Sequence, residues 1–406
     1  MRDTLLAEET DDDSNARSST RGDGKDDFEQ AYGISFEQFI DVASWKRGPD
    51  LPALYTELEE QVARAVEEED GRRDHVRNVL FPQVPGGDRS VEDSGLHQFT
   101  PAMIERAHTG FLFNGSVEAC DGTSAVHDAL PITVTQIGVS LVSYNGPEGS
   151  YVHRLYRKDI QERPGDPAAQ IAELLSRREK RGGVGFEDAD FSSELSRRGL
   201  QAYIERAILV EESDAPWRMG HGNPTPYELL TGYWAHRPKM VKAGLSLMRE
   251  LVERKRFVFI PSAPRHRGLL TLGYALNPLE YLVLFDVQRH LKEMVDRGNY
   301  RGEARTAVET FVADVGPQIV MGLYRVSDLA PPYLFYAHRE YVHYAAMIAM
   351  ADSTLQLHRG FPMLIDTADK LCAAEFGASD LNSSVQHAYA RAGSPFRYLG
   401  ERETRR

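Results

Sequence analysis

The 406-residue chain is 41% hydrophobic and 27% charged, with a formal net charge of −14. That balance describes a globular protein with a well-buried core and excludes one that coats nucleic acid through a general basic surface. A nuclease stays open, because metal sites are built of carboxylates and basic patches can be local. The two cysteines, Cys120 and Cys372, have no CxxC pairing, which suits a reducing cytosol and excludes a cysteine zinc site. No signal-peptide pattern opens the sequence, and the longest apolar runs, "YLVLF" and "AAMIAMA", are too short to span a bilayer. The expected location is the cytoplasm.

Residues 1–30 form a polar, acidic tail that is expected to be disordered. Residues 31–95 are read as an N-terminal helical region and linker. Apolar residues recur every three or four positions from Phe36 to Val79, before the Pro- and Gly-punctuated "PQVPGGDRSVEDSG". The period then changes. "GSVEACDG" reads as a strand that runs into an Asp-Gly-Thr turn. "ITVTQIGVSLVSY" and "YVHRLYRKDI" read as a hairpin joined by "NGPEGS". Helices are expected in "AAQIAELLSRREK" and "FSSELSRRGLQAYIERAILVEES", then a short strand in "APWRMGHG", the helix "VKAGLSLMRELVERK" and the strand "RFVFIPSA". The last third is read as helices in "LEYLVLFDVQRHLKEMVDRG" and "REYVHYAAMIAMADSTLQLHRG", a strand in "PQIVMGLYRVS", and a final helix over "PMLIDTADKLCAAEFGA". A three-strand meander followed by alternating helices and strands is the order of the ribonuclease H-like fold. The expected class is therefore α/β, a mixed sheet flanked by helices, with a core over about 115–263 and a C-terminal α+β portion.

Two readings of Asp121-Gly122-Thr123 stand side by side: an ordinary turn, or a carboxylate held rigidly for a metal ion beside a glycine that allows close approach. On the helix after the meander, Glu194 and Glu205 are eleven residues apart and point from nearly the same face. Helical glutamates are mostly solvated, but Glu205 sits in the apolar context "LQAYIERAIL". "PSAPRHRG" supplies Arg265, His266 and Arg267, which suit phosphate contact or an ordinary solvated loop equally well. "RREKRGG", from Arg177 to Gly183, reads as a basic surface loop, and His338 and His343 as structural. The sequence has no GxxxxGK[ST], HExxH or GxSxG, which removes a phosphate-gripping ATPase, a zinc protease and an esterase.

Three segments together resemble the NurA family of DNA-end-processing nucleases. "EACDGTSAV" resembles the family's first-strand motif, "LQAYIERAI" the helix with its glutamate, and "RGFPMLIDTADKLCAAEF" its C-terminal signature. The resemblance spans about Gly115 to Pro395 and implies a nuclease domain over 96–400. It implies Asp121 and Glu205 as catalytic residues and metal ligands, Asp369 as a further ligand, and Phe361 as a DNA contact beside Arg265 and Arg267. It also implies a ribonuclease H-like fold, exonuclease and single-strand endonuclease activity on DNA ends, a homodimer, and a HerA-type hexameric ATPase as partner. The departure lies at His221, which with Gly222 and Asn223 stands where the family has Asp-Gly-Ser. His221 is then a substitute ligand, or Asp214 supplies the missing carboxylate through a shifted strand, or the site is weakened. An imidazole in the ligand set favours Mn²⁺ over Mg²⁺. The alternative function is a non-catalytic subunit that keeps the fold and binds the ATPase and DNA without cleavage.

Overall fold

A computed structural model describes residues 27–46, 48–87, 90–129, 132–145, 150–162, 194–230, 238–262, 264, 266–298 and 300–395. The described residues form a mixed sheet of nine strands in the order β1-β7-β8-β9-β6-β5-β2-β3-β4. Strands β2 (Val117–Ala129), β3 (Ile132–Tyr144) and β4 (Tyr151–Glu162) are the expected meander. Strands β5 (Trp217–His221) and β6 (Phe257–Ile260) run parallel to β2 on its other side. Beyond them the sheet is antiparallel through β9 (Tyr333–His338), β8 (Ile319–Arg325), β7 (Glu280–Asp286) and β1 (Gly95–Gln98).

Because side chains alternate along a strand, the sheet buries two separate apolar layers. One layer joins Cys120, Phe257, Phe259 and Leu323 to the helices α5 (Glu194–Glu211), α7 (Pro238–Glu253), α9 (Gln288–Arg297) and α10 (Gly302–Val315). The other joins Ala119, Met219, Ile260 and Phe335 to α4 (Pro101–Ala107), α11 (Val342–Thr354) and α12 (Met363–Phe376). Helices α5 and α12 therefore flank β2 on opposite faces. Short helices α1 (Asp27–Tyr32), α2 (Phe36–Ile40), α6 (Tyr227–Leu230) and α8 (Arg267–Tyr274) complete the frame, with α13 (Ala378–Arg391) after α12.

Helix α3 (Leu51–His75) has no buried side chain; it is tied to the start of β7, where Arg73 donates to Asn277 and, just beyond, Arg77 pairs with Glu280. Among the described residues no helix is long and apolar enough to cross a membrane.

Two readings of the sequence are corrected. Asp-Gly-Thr is not a turn, for β2 runs unbroken through it to Ala129 and pairs with β3 throughout. "EYLVLFD" is strand β7 rather than helix, since a short apolar run buried on both faces has no period to separate the two. The true helix, α9, begins after Asp286 takes the backbone N–H of Gln288 at 3.0 Å. Strands β1 and β9 and the helix α13 were not anticipated, whereas the helix expected over "PMLIDTADKLCAAEFGA" is α12. The "AAQIAELLSRREK" helix and the "NGPEGS" turn fall largely outside the described residues.

Candidate active site

Pairing of β2 with β5 ends at Cys120 opposite Gly220, while β2 continues alone beside β3. Strand β5 stops at His221, and Gly222 turns the chain away with φ of +82°, a conformation costly for other residues. The two strands thus open a notch at their carboxyl ends, the place where open α/β sheets bind ligands. Asp121 is the first residue of β2 inside it.

Alternation decides what enters the notch from each side. Cys120 faces α5, so Asp121 faces α12, on the same side as His221 and Phe361. The Asp121 carboxylate is buried, accepts the Gly122 N–H at 2.9 Å through Oδ1, and lies 3.3 Å from His221 Nδ1 through Oδ2. His221 Nε2 stands 3.5 Å from the Ser262 hydroxyl. Its ring meets Phe361 edge-on at 5.7 Å between centroids.

Glu205 arrives from the opposite face. A Cβ on Gly122 would lie 2.6 Å from Glu205 Oε1, so only glycine lets the carboxyl reach the strand backbone. The glycine's purpose is this close approach. Gln201, one turn earlier on α5, donates from Nε2 both to Gly122 O and to Glu205 Oε1, each at 2.9 Å. Arg206 is buried beside it but reaches Glu205 Oε2 only at 3.4 Å. Its guanidinium is committed to the carbonyl of Ala202 on its own helix and to those of Pro224 and Asn223, which fasten α5 to the loop after β5.

These placements set the electrostatics. Burial, then the charge of Asp121, pushes the Glu205 carboxyl up to about 7, against the weaker pull of Arg206 and Gln201. Partial desolvation and the charge of Asp121 likewise raise Asp369, an exposed residue of α12. Burial lowers the His221 imidazole, but its hydrogen bond to Asp121 and the nearby carboxylates outweigh that and leave it raised.

Three acids and an imidazole therefore face one another here, Glu205 held toward its protonated form by burial and repulsion and the exposed Asp369 by partial desolvation and the charge of Asp121. Such a set suits a hard divalent cation, whose charge would relieve that repulsion. The spacing is more open than the chemistry: among the described residues, no three His, Cys, Asp or Glu side chains converge at ligand distance of one point.

The sequence matches no family model and no curated protein. Solved structures do match. The chain is similar to NurA nucleases. Against the NurA nuclease from Sulfolobus solfataricus it has 10% identity and a TM-score of 0.42, covering 85% of this chain and 99% of that one. Against a NurA bound to dAMP and manganese the identity is 8% and the TM-score 0.38, over 89% of this chain and 96% of that one. Against a NurA with manganese they are 9% and 0.35, over 67% and 88%. At such identities and scores, the chemistry of this chain rests on its own side chains.

Asp121, Glu205, His221 and Asp369 thus gather around one notch, from two strands and two helices. Other expected residues do not join this set. Asp214 is exposed before β5, at the end of that strand opposite His221, and cannot supply a carboxylate here. Phe361 is 7% exposed, with its ring against His221 and Tyr333, and offers DNA no free face. Arg267 is exposed at the start of α8, where His266 caps the helix by accepting the Gly268 N–H. Arg265, the Arg177–Gly183 cluster and the Glu194 side chain lie outside the described residues. His338 accepts the Glu340 N–H, and His343 Nδ1 shares a hydrogen bond of 2.7 Å with the Tyr281 hydroxyl, both away from the notch.

Sequence reasoning missed Gln201 and Arg206, although an arginine beside a glutamate inside an apolar helical run is itself a signal of burial. It also missed Asp366, whose i,i+4 spacing to Lys370 was visible on α12.

Proposed function

We propose that this chain is a divalent-metal-dependent deoxyribonuclease whose site is the notch between β2 and β5. The observation that carries the reading is the approach of Glu205 through the gap at Gly122 to a strand that presents Asp121 on its other face. Burying like-charged carboxylates together is costly, and a structural role does not require it. The motif resemblance around Asp121, Glu205 and Asp369 supports the same reading and supplies DNA ends as substrate, a homodimer, a HerA-type hexameric ATPase as partner and the cytoplasm as location. The nuclease domain is then residues 96–400.

Asp121 and Glu205 would hold the cation, with His221 and Asp369 completing the set; when bound, the ion neutralises phosphate charge and lowers the pKa of an attacking water. The chain's own residues do the rest. The Gly122 N–H fixes one oxygen of Asp121 and leaves the other facing the notch. Gln201 aims the Glu205 carboxyl, and Phe361 sets the plane of the His221 ring. His221 serves as a ligand only when its imidazole is neutral, and Glu205 only when ionised. Both are raised, so cleavage should rise with pH through an ascending limb near 7 rather than near 5.

A second reading has one observation in its favour. His221 sits on the Asp121 oxygen that a cation would need, so the pair could close the notch in a non-catalytic subunit that still binds the ATPase and DNA. Cleavage of end-labelled single- and double-stranded DNA by the full chain decides between them. The nuclease reading expects cutting with Mn²⁺, weaker cutting with Mg²⁺, and a loss on the order of 10³-fold in Asp121→Ala. His221→Asp should improve Mg²⁺-supported cutting and leave an acid limb set by Glu205 alone. Absence of cutting in either metal, even after His221→Asp, would establish the non-catalytic reading.

A further inference from the structure

Helix α12 also carries a buried acid that faces two cations. Asp366, in the first turn of that helix, is 4% exposed and holds two cations at once. Its Oδ1 lies 2.7 Å from Arg359 Nη2 and its Oδ2 lies 2.6 Å from Lys370 Nζ. The two cationic side chains are themselves 52% and 67% exposed. We propose that Arg359 and Lys370, set in place by the buried Asp366 carboxylate, form a clamp for a backbone phosphate of DNA at the rim of the notch. The inference rests on the nuclease reading and adds to it the group that meets the substrate.

Position supports it. Lys370 follows Asp369 directly, and the Arg359 guanidinium lies 5.9 Å from the centroid of Phe361, whose opposite neighbour is His221. Arg359 is near enough for its charge to act on the Asp369 carboxyl. Its backbone carbonyl accepts the Tyr333 hydroxyl at 2.9 Å, so the segment is pinned as well as the side chain.

Charge and donor count support it too. One carboxylate against two cations leaves a net positive charge beside an acidic notch, where a polyanion would otherwise be repelled. The ammonium has three N–H groups and the guanidinium five, and Asp366 engages only one nitrogen of each. The remaining donors belong to largely exposed side chains, and guanidinium and ammonium N–H groups suit phosphate oxygens. Because Phe361 is covered by Arg359 and His221, the clamp meets the backbone rather than stacking on bases, and its grip is indifferent to sequence.

The test is fluorescence anisotropy of labelled oligonucleotides of differing base composition, titrated with the full chain in EDTA over a series of salt concentrations. Arg359→Ala and Lys370→Ala should each weaken binding on the order of tenfold for every sequence and lower the salt slope by about one. Arg359→Lys should retain the slope. Asp366→Asn keeps both charges but frees them, so affinity should fall several-fold while the slope stays; thermal melting checks that each variant is folded. Inorganic phosphate should compete only weakly, since a single phosphate lacks the flanking contacts of a strand. If the wild-type chain binds DNA and Arg359→Ala and Lys370→Ala match it in affinity and slope, the clamp is wrong and the nuclease reading stands. A wild-type chain that cuts DNA with Mn²⁺ yet shows no binding in EDTA also removes the clamp. One that neither binds nor cuts removes both.

Discussion

Glu280 at the start of β7 and Glu205 beside β2 are both glutamates with an arginine alongside, and their surroundings push them in opposite directions. Burial raises Glu280, but Arg77 meets it with two bonds of 2.6 and 2.9 Å, and the Asn277 N–H and side-chain amide add two more, so the carboxyl ends below its ordinary value. Glu205 has Arg206 only at 3.4 Å, because that guanidinium is spent on carbonyls, and it faces the like charge of Asp121. The first is a closed strut between the segment after α3 and β7. The second is an acid left short of a counter-charge, which marks a place where charge is meant to arrive. Burial alone does not distinguish a structural carboxylate from a reactive one; the geometry of its partners does.

The sharpest way to break that comparison is to remove the strut. Glu280→Gln leaves Arg77 without its counter-charge and should cost about 3 kcal/mol in urea denaturation while leaving cleavage per folded molecule unchanged. Since the folded pKa of Glu280 is lowered, its stabilisation is present above the unfolded value and lost as pH falls through the folded one. The variant and wild type should therefore converge below about pH 4. Equal stability at neutral pH would show that the strut carries no load.

Next in size is Gly122→Ala. The new methyl would occupy the position of Glu205 Oε1, so the carboxyl must withdraw while β2 keeps its pairing. A displacement of that kind should cost cleavage on the order of 10²-fold with little change in melting temperature. Full activity in Gly122→Ala would mean that Glu205 does not act through this gap.

Smallest is the effect of Glu205→Gln on stability. The folded pKa of Glu205 is raised, so the chain loses stability as pH climbs from the unfolded value to about 7, where the buried carboxyl must ionise. In EDTA at pH 8 the glutamine variant should be more stable than wild type by about 2 kcal/mol, with the gap closing toward pH 5. A variant less stable than wild type at pH 8 would place Glu205 with Glu280, among the struts.

The legible part of this molecule was the part with a local period. The meander, β5, β6 and the helices between them follow from alternation and helical spacing, and Asp121 and Glu205 stood out because each interrupts an apolar pattern. What escaped needed contacts between distant segments. Nothing in "CDGTS" distinguishes a turn glycine from one that makes room for a helix side chain, because the occupant, Glu205, lies on another element. Strand β7 was hidden by being apolar on both faces. The roles of Arg206 and Asp366 depend on loops that fold back over them, from Asn223 and Pro224 in one case and from Arg359 in the other.

The most direct measurement is the number of protons released when Mn²⁺ binds the full chain, obtained by titration calorimetry in buffers of different ionisation enthalpy. If Glu205 is an acid held protonated for lack of a cation, binding at pH 6 should release close to one proton from it, together with any from His221. That release should shrink toward zero by about pH 8.5, and Glu205→Gln should remove the Glu205 share at pH 6. Binding whose proton release is the same in Glu205→Gln as in wild type, or no Mn²⁺ binding at all, would contradict the account.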